Sequence, residues 1–443
     1  MSQTAETATE MGSRKPFLHE GLRIPFILIV TCFAAWGVAA NMTDPLVKVF
    51  SKVFSMSTFQ ASLVQFSYYG AYFCLALPAA FINRKFSYKV GVLTGLGCAI
   101  AGAMLFYPAS LTMQYGFFLL ALFTLAGGLS ILETSANPFV IAMGPDENAT
   151  RRLNFAQAFN PVGTNIGVFL AATFILPKLN SATEAEREAM SQAERLAVRS
   201  EELQAVMLPY VGFAFVLLAI WIAIALHKMP TEEETASDDP HNVRFGPTLK
   251  RLLANRHYRF GVLAQFFNVA AQTCVWTFTI QYVMEAIGGD EANAGRYLQY
   301  SLLVFLISRF IMTWLMGFIR PALLLTLMGA AGAALCLFAV STPTIAGVWA
   351  VVFCSACLSL MFPTIYGIAL HGLGEDTKFG SAGLVMAILG GALMPMVHGA
   401  TMDAYGAATS YVVPAVCFLL VASYGVFDLR GEDREASLSK NKH

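Results

Sequence analysis

The chain has 443 residues, of which 56% are hydrophobic, 12% aromatic and only 13% charged, and its mean hydropathy is +0.60. Roughly a quarter of the residues in a soluble domain are charged, so this composition leaves too little polar surface to wet a globular protein, and the remaining solvent is lipid. The 28 Lys and Arg balance the 28 Asp and Glu, which gives no electrostatic case for nucleic acid or for an acidic partner.

The first twenty residues are polar and lack a short apolar core followed by a small-residue cleavage site, so no cleavable signal peptide is expected. A bilayer-spanning helix needs about 20 apolar residues. Runs of that length fall at 22–50, 58–82, 90–109, 114–143, 152–176, 208–227, 260–286, 297–318, 321–341, 345–370, 378–402 and 408–428, which makes twelve spans. Between the sixth and seventh lies the most polar interior stretch, carrying Glu232, Glu233 and Glu234 and then Arg244, Lys250, Arg251 and Arg256. The predicted fold is therefore an all-α membrane protein of twelve transmembrane helices in two six-helix halves. Its segments are a tail (1–21), an N-terminal half (22–228), a central loop (229–258), a C-terminal half (259–429) and a second tail (430–443).

Placing both termini in the cytoplasm also puts Arg84, Lys85, Lys89, Arg151, Arg152, Arg320 and Lys378 on that side, as the positive-inside rule asks of an inner-membrane protein. All eight cysteines lie in apolar runs and read as small packing residues. The Cys354-x-x-Cys357 pair has no second ligand pair or neighbouring His to complete a metal site.

A carboxylate at membrane depth is costly and is kept where it meets a cavity or a partner. Two acids qualify, Asp44 late in the first span and Glu133 in the middle of the fourth. Helical spacing groups their neighbours: Asn41, Asp44 and Lys48 share a face, Glu133 and Asn137 another, and Gln157, Asn160 and Thr164 a third. The seventh span repeats the pattern with Gln265, Asn268, Gln272 and Trp276. Amides and carboxylates beside an aromatic ring suit a sugar, whose hydroxyls need paired donors and acceptors while its C–H face stacks on an apolar surface. Pro45, Pro138, Pro161 and Pro363 deprive the carbonyls of Asn41, Thr134, Gln157 and Ser359 of their helical donors, leaving them free for a hydroxyl or a cation.

Both embedded acids belong to the N-terminal half, whereas the C-terminal half offers amides, aromatics and Arg309. The expected division of labour gives the coupling cation to the first half and the shape of the sugar pocket to the second. A carboxyl in a low-dielectric cavity suits proton exchange, since burial opposes its charge. The oxygens of Thr43, Asp44 and Glu133 would equally suit Na+. No His-Glu-x-x-His or Ser/His arrangement that would serve an enzyme occurs in the spans, and neither tail offers the signalling domain that a non-transporting sugar sensor needs.

Several runs resemble the bacterial L-fucose permeases, the fucose-galactose-glucose:H+ symporters of the major facilitator superfamily. They are Ala39 to Asp44, Tyr68 to Phe73, Phe86 to Gly91, Leu132 to Phe139 (Leu-Glu-Thr-Ser-Ala-Asn-Pro-Phe), Arg152 to Asn160, Val262 to Phe266, Phe362 to Ile365 and Leu373 to Gly380. The resemblance implies a sugar:cation symporter working by alternating access, with Asp44 and Glu133 at the family's two essential acids and Asn41, Gln157 and Asn160 at pocket positions. It favours a proton over sodium as the coupling ion. The chain departs from the family pattern at Ala40, Thr43, Asn268 and Phe362. No cofactor beyond the co-transported H+ or Na+ is expected, and the partners are a monosaccharide and the bilayer, with a monomer as the working unit.

Overall fold

The computed structural model describes the backbone of residues 16–54, 58–178, 180, 186, 189–229 and 245–440. Side chains are described for these residues except 42–54, 58–63, 65, 171–172, 176, 206, 291–292 and 432–440. The described residues form helices and connecting turns without a strand. The N-terminal half comprises Arg23–Phe54, Thr58–Lys85, Tyr88–Thr112, Tyr115–Ala142, Asp146–Ile175 and Gln192–Leu226 (spans 1 to 6), and the C-terminal half Arg256–Ile287, Glu291–Leu315, Pro321–Ser341, Ile345–Leu370, Gly374–Tyr405 and Ala407–Gly431 (spans 7 to 12). Ten of these are long and apolar enough to cross a membrane among the described residues. The other two are spans 2 and 7, the latter diluted by Gln265, Asn268 and Gln272.

Helix starts follow local chemistry. Ser87 accepts from Val90 N–H at 3.2 Å, Asn255 from Tyr258 N–H at 3.0 Å and Asp290 from Asn293 N–H at 2.9 Å, each satisfying an orphan donor of the first turn. The stretch 229–258, expected as a loop, contains the helix Phe245–Ala254, because Phe245, Leu249 and Leu252 recur on one face. Span 7 begins at Arg256, four residues before its apolar run, and the last helix continues through the expected tail to Lys440.

Small residues set the closest packing. A Cβ on Gly95 would meet the backbones of Leu132 and Gly128, and one on Gly163 the carbonyl of Ala34, so spans 3 and 4 and spans 1 and 5 touch main chain to main chain. The loops after spans 2, 4, 8 and 10, the central segment and residues 16–22 share one face of the molecule, called here the linker face. Residues 16–22 are bound there by Arg152 Nη1 donating to Phe17 O at 3.1 Å and His19 N–H donating to Met143 O at 3.0 Å.

The halves meet on this face. Arg84 pairs with Glu375 at 3.5 Å, Arg151 Nε donates to Thr313 O at 3.4 Å, Asn154 donates to Thr364 Oγ1 at 3.1 Å and Ser381 to Thr134 O at 2.7 Å. At 1.5 Å per residue, these groups all lie within about 12 Å of the linker ends of their helices. The hydrophobic core of the first half runs on into Tyr258, Phe362, Tyr366 and Phe379 of the second. The molecule is closed on the linker face.

Candidate functional site

Glu133 sits about 14 Å from the linker end of span 4, 2% exposed. It lines a narrow cleft with Cys32, Phe33, Trp36, Leu132 and Ala136. Neither carboxylate oxygen has a hydrogen-bond partner of normal geometry, although the Asn137 amide one turn on acts on it. Asn137 Oδ1 accepts from Gln157 Nε2 at 2.7 Å, which turns Asn137 Nδ2 toward Glu133 and Tyr366. Two predicted stripes, those of spans 4 and 5, thus meet around the acid.

Span 1 supplies the aromatic wall. Trp36 Nε1 donates to Tyr72 OH, and the Tyr72 ring lies 5.2 Å from Tyr68. Asn41 donates to Thr164 Oγ1 at 3.0 Å and to Gly37 O at 3.1 Å, and Asn160 donates to Phe33 O at 3.4 Å. Their amide donors therefore tie span 1 to span 5, leaving carbonyl oxygens for a ligand. The side chains of Thr43, Asp44 and Lys48 lie outside the described residues, and so does most of the oxygen set considered for Na+. Among the described residues no group of three acidic, His or Cys side chains could hold a metal.

Across the interface, Gln265 stands at the same depth on span 7, with Asn268 one turn deeper. Both are fully buried, and all four of their amide atoms lack a partner. Such orphans are rare because each forfeits its hydration without replacement. Gln272 is half-buried. Trp276 is turned into its own half, where its N–H donates to Ser355 at 3.1 Å and its ring packs edge-on to Phe305 at 5.1 Å. Arg309 is 4% exposed, with its guanidinium 4.8 Å from the Phe305 ring centroid and Nε unpaired.

Sequence reading passed over Trp36, Tyr72 and Tyr366. The first had a signal, since Phe33, Trp36, Ala40 and Asp44 recur at helical spacing on span 1. Tyr366, on span 10, interacts with both Glu133 and Asn137. It carried no signal, because a Tyr in an apolar run is indistinguishable from core.

Two six-helix halves, with a buried acid at mid-depth in one and unpartnered amides at similar depth in the other, define a membrane transporter rather than an enzyme. The sequence model of the Major Facilitator Superfamily matches residues 26–388, and the chain belongs to that family. It is 40% identical to the L-fucose-proton symporter of Haemophilus influenzae over 92% of this chain and 97% of the relative. Identity to the L-fucose-proton symporter of Escherichia coli is 37%, over 91% and 93% of the two chains, and to the glucose/galactose transporter of Brucella abortus 33%, over 94% and 96%. The crystal structure of the transporter FucP in the outward conformation superposes with a TM-score of 0.86 at 37% identity, covering 92% of this chain and 99% of FucP.

Proposed function

We propose that the protein imports a monosaccharide of the L-fucose, galactose or glucose type across the bacterial inner membrane, driven by symport of a proton. The observation that carries this reading is Glu133, a buried carboxyl with no hydrogen-bond partner of normal geometry in a cleft walled by Phe33 and Trp36, while the other half holds the orphan amides of Gln265 and Asn268 at similar depth. Burying its charge without a partner is costly, so a proton or a cation accompanies it through the cycle. Sugar hydroxyls entering between the halves would take up the amides of span 7, and the aromatic wall of Phe33 and Trp36 would take the C–H face.

The names of the relatives favour a proton over sodium. The basic residues Arg84, Lys85, Lys89, Arg151, Lys250, Arg251, Arg320 and Lys378 gather on the linker face, which supports a cytoplasmic linker and cytoplasmic termini. The state described is then closed to the cytoplasm, ready to take sugar from outside. One chain supplies every group named, so the monomer is the working unit.

Uptake of labelled L-fucose, galactose and glucose into proteoliposomes under an imposed proton gradient or an imposed sodium gradient tests the proposal. Acceleration by the proton gradient alone is expected. Acceleration by sodium alone would move the coupling role to a cation site around Asp44 and Glu133, and no response to either gradient would remove symport altogether.

A further inference from the structure

Thr134, the residue after Glu133, has a carbonyl that the helix cannot satisfy, because the ring nitrogen of Pro138 four residues on has no hydrogen to give. Two side chains satisfy it. Asn83 Nδ2 of span 2 donates at 3.3 Å, and Ser381 Oγ of span 11, in the opposite half, donates at 2.7 Å. With its only hydrogen given to Thr134, Ser381 Oγ accepts from the Tyr366 hydroxyl of span 10, and Tyr366 in turn acts on Asn137 and Glu133. All of these groups are fully buried or nearly so. The loop of contacts runs from Glu133 through Asn137, Tyr366 and Ser381 back to the peptide that follows Glu133, crossing between the halves twice.

We infer that Ser381, with Tyr366 behind it, is a positioning residue for Glu133 that ties the placement of the acid to closure of the linker face. The inference rests on the reading of Glu133 as the coupling acid. When the halves part on the linker side, the Ser381 hydroxyl leaves the Thr134 carbonyl and Tyr366 leaves Asn137. The backbone beside Glu133 and the amide acting on its carboxyl then change partners in the same step. A symporter needs such a link, because its acid must meet a different setting in each orientation. The titratable groups facing Glu133 are Cys32 of span 1, Tyr72 of span 2 and Tyr366 of span 10. Spans 3, 5 and 11 present Gly95, Gln157 and Ser381, none of them charged, and the side chain of Asp44 is outside the described residues.

The test compares Ser381→Ala, Ser381→Thr and Tyr366→Phe in proteoliposomes, measuring sugar accumulated under a proton gradient, sugar exchange without one, and the pH profile of exchange. One hydrogen bond lost from the closed state changes its population about fivefold. Ser381→Ala is therefore expected to lose about fivefold in accumulation, to lose less in exchange, and to move the midpoint of the pH profile by about half a unit or more. Ser381→Thr, which keeps the hydroxyl, restores both. Should Ser381→Ala fail to insert, Tyr366→Phe removes the hydroxyl that links Ser381 to Asn137 and Glu133 and must show the same split. Native accumulation and an unmoved profile in Ser381→Ala, or a uniform fall in all activities with no shift of profile, would overturn the inference. Glu133→Gln separates the levels: if it retains gradient-driven uptake, the parent reading fails, and if it loses that uptake while Ser381→Ala behaves as native, only the present inference fails.

Discussion

Arg152 directs its whole guanidinium at the main chain. It donates to Val140 O at 2.8 Å, Gly144 O at 3.0 Å, Phe17 O at 3.1 Å and Pro145 O at 3.2 Å, and also to Ile141 O. These carbonyls belong to the frayed end of span 4, the turn after it and the segment before span 1, so one side chain caps a helix and pins the chain entering the bundle. Arg152→Ala would leave several buried acceptors without a donor and should destabilise the detergent-solubilised protein by about 3 kcal/mol or more, read as a fall in unfolding temperature. Arg152→Lys, lacking the planar fork, recovers only part. Sequence alone marks Arg152 as one more positive charge in a cytoplasmic loop, because nothing local tells it that five carbonyls converge on it. Glu133 was legible for the opposite reason, as an acid in an apolar run stands out wherever it folds. The Thr134 carbonyl was legible too, since Pro138 frees it by covalent structure alone, whereas its partner 247 residues away was not.

Helices behave as their prolines and polar stripes dictate, with informative exceptions. Span 5 breaks at Ala158 before Pro161, and span 10 breaks between Leu358 and Met361 before Pro363. Spans 2, 3, 4, 6 and 11 stay continuous through Pro78, Pro108, Pro138, Pro209 and Pro395, and in span 4 Asn83 and Ser381 supply donors to the carbonyl that Pro138 frees. The helix Phe245–Ala254 forms an amphipathic strap. Phe245 lies 5.5 Å from Phe81 of span 2 and 5.4 Å from Phe379 of span 11, which are themselves 5.1 Å apart. Arg251 grips Asp376 with Nε donating to Oδ2 at 2.8 Å, and that hydrogen bond raises the guanidinium further above its already high pKa. A strap bonded to both halves favours the closed linker face. Phe245→Ala removes two aromatic contacts worth about 1–2 kcal/mol together, roughly a five- to thirtyfold change toward the open linker face. Spin labels at the exposed positions Lys85 and His371 would read it as a longer distance population, and an unchanged distribution would contradict the strap's role. Composition hid this helix among the charges of the central segment.

At the scale of the whole molecule, apolar runs of spanning length and one polar interruption were enough to read twelve helices in two halves, because lipid leaves a chain of this composition few alternatives. Which face the halves close on was not legible, since it depends on pairings such as Asn154 with Thr364 and Arg84 with Glu375 that sequence distance conceals. Nor was the fate of the pocket amides: Asn41 and Asn160 hold spans 1 and 5 together, while Gln265 and Asn268 are left open. The bundle thus presents an acid on one half and unsatisfied amides on the other, with the linker face shut behind them.

In the proposed cycle Glu133 joins the movement of sugar to the movement of a proton. The most direct measurement is sugar accumulation against sugar exchange in proteoliposomes carrying Glu133→Gln, an isostere that keeps the hydrogen-bonding shape and removes the exchangeable charge. Accumulation under a proton gradient is expected to fall to the level of equilibration while the protein remains folded in the membrane. Undiminished, gradient-driven accumulation in that variant would contradict it.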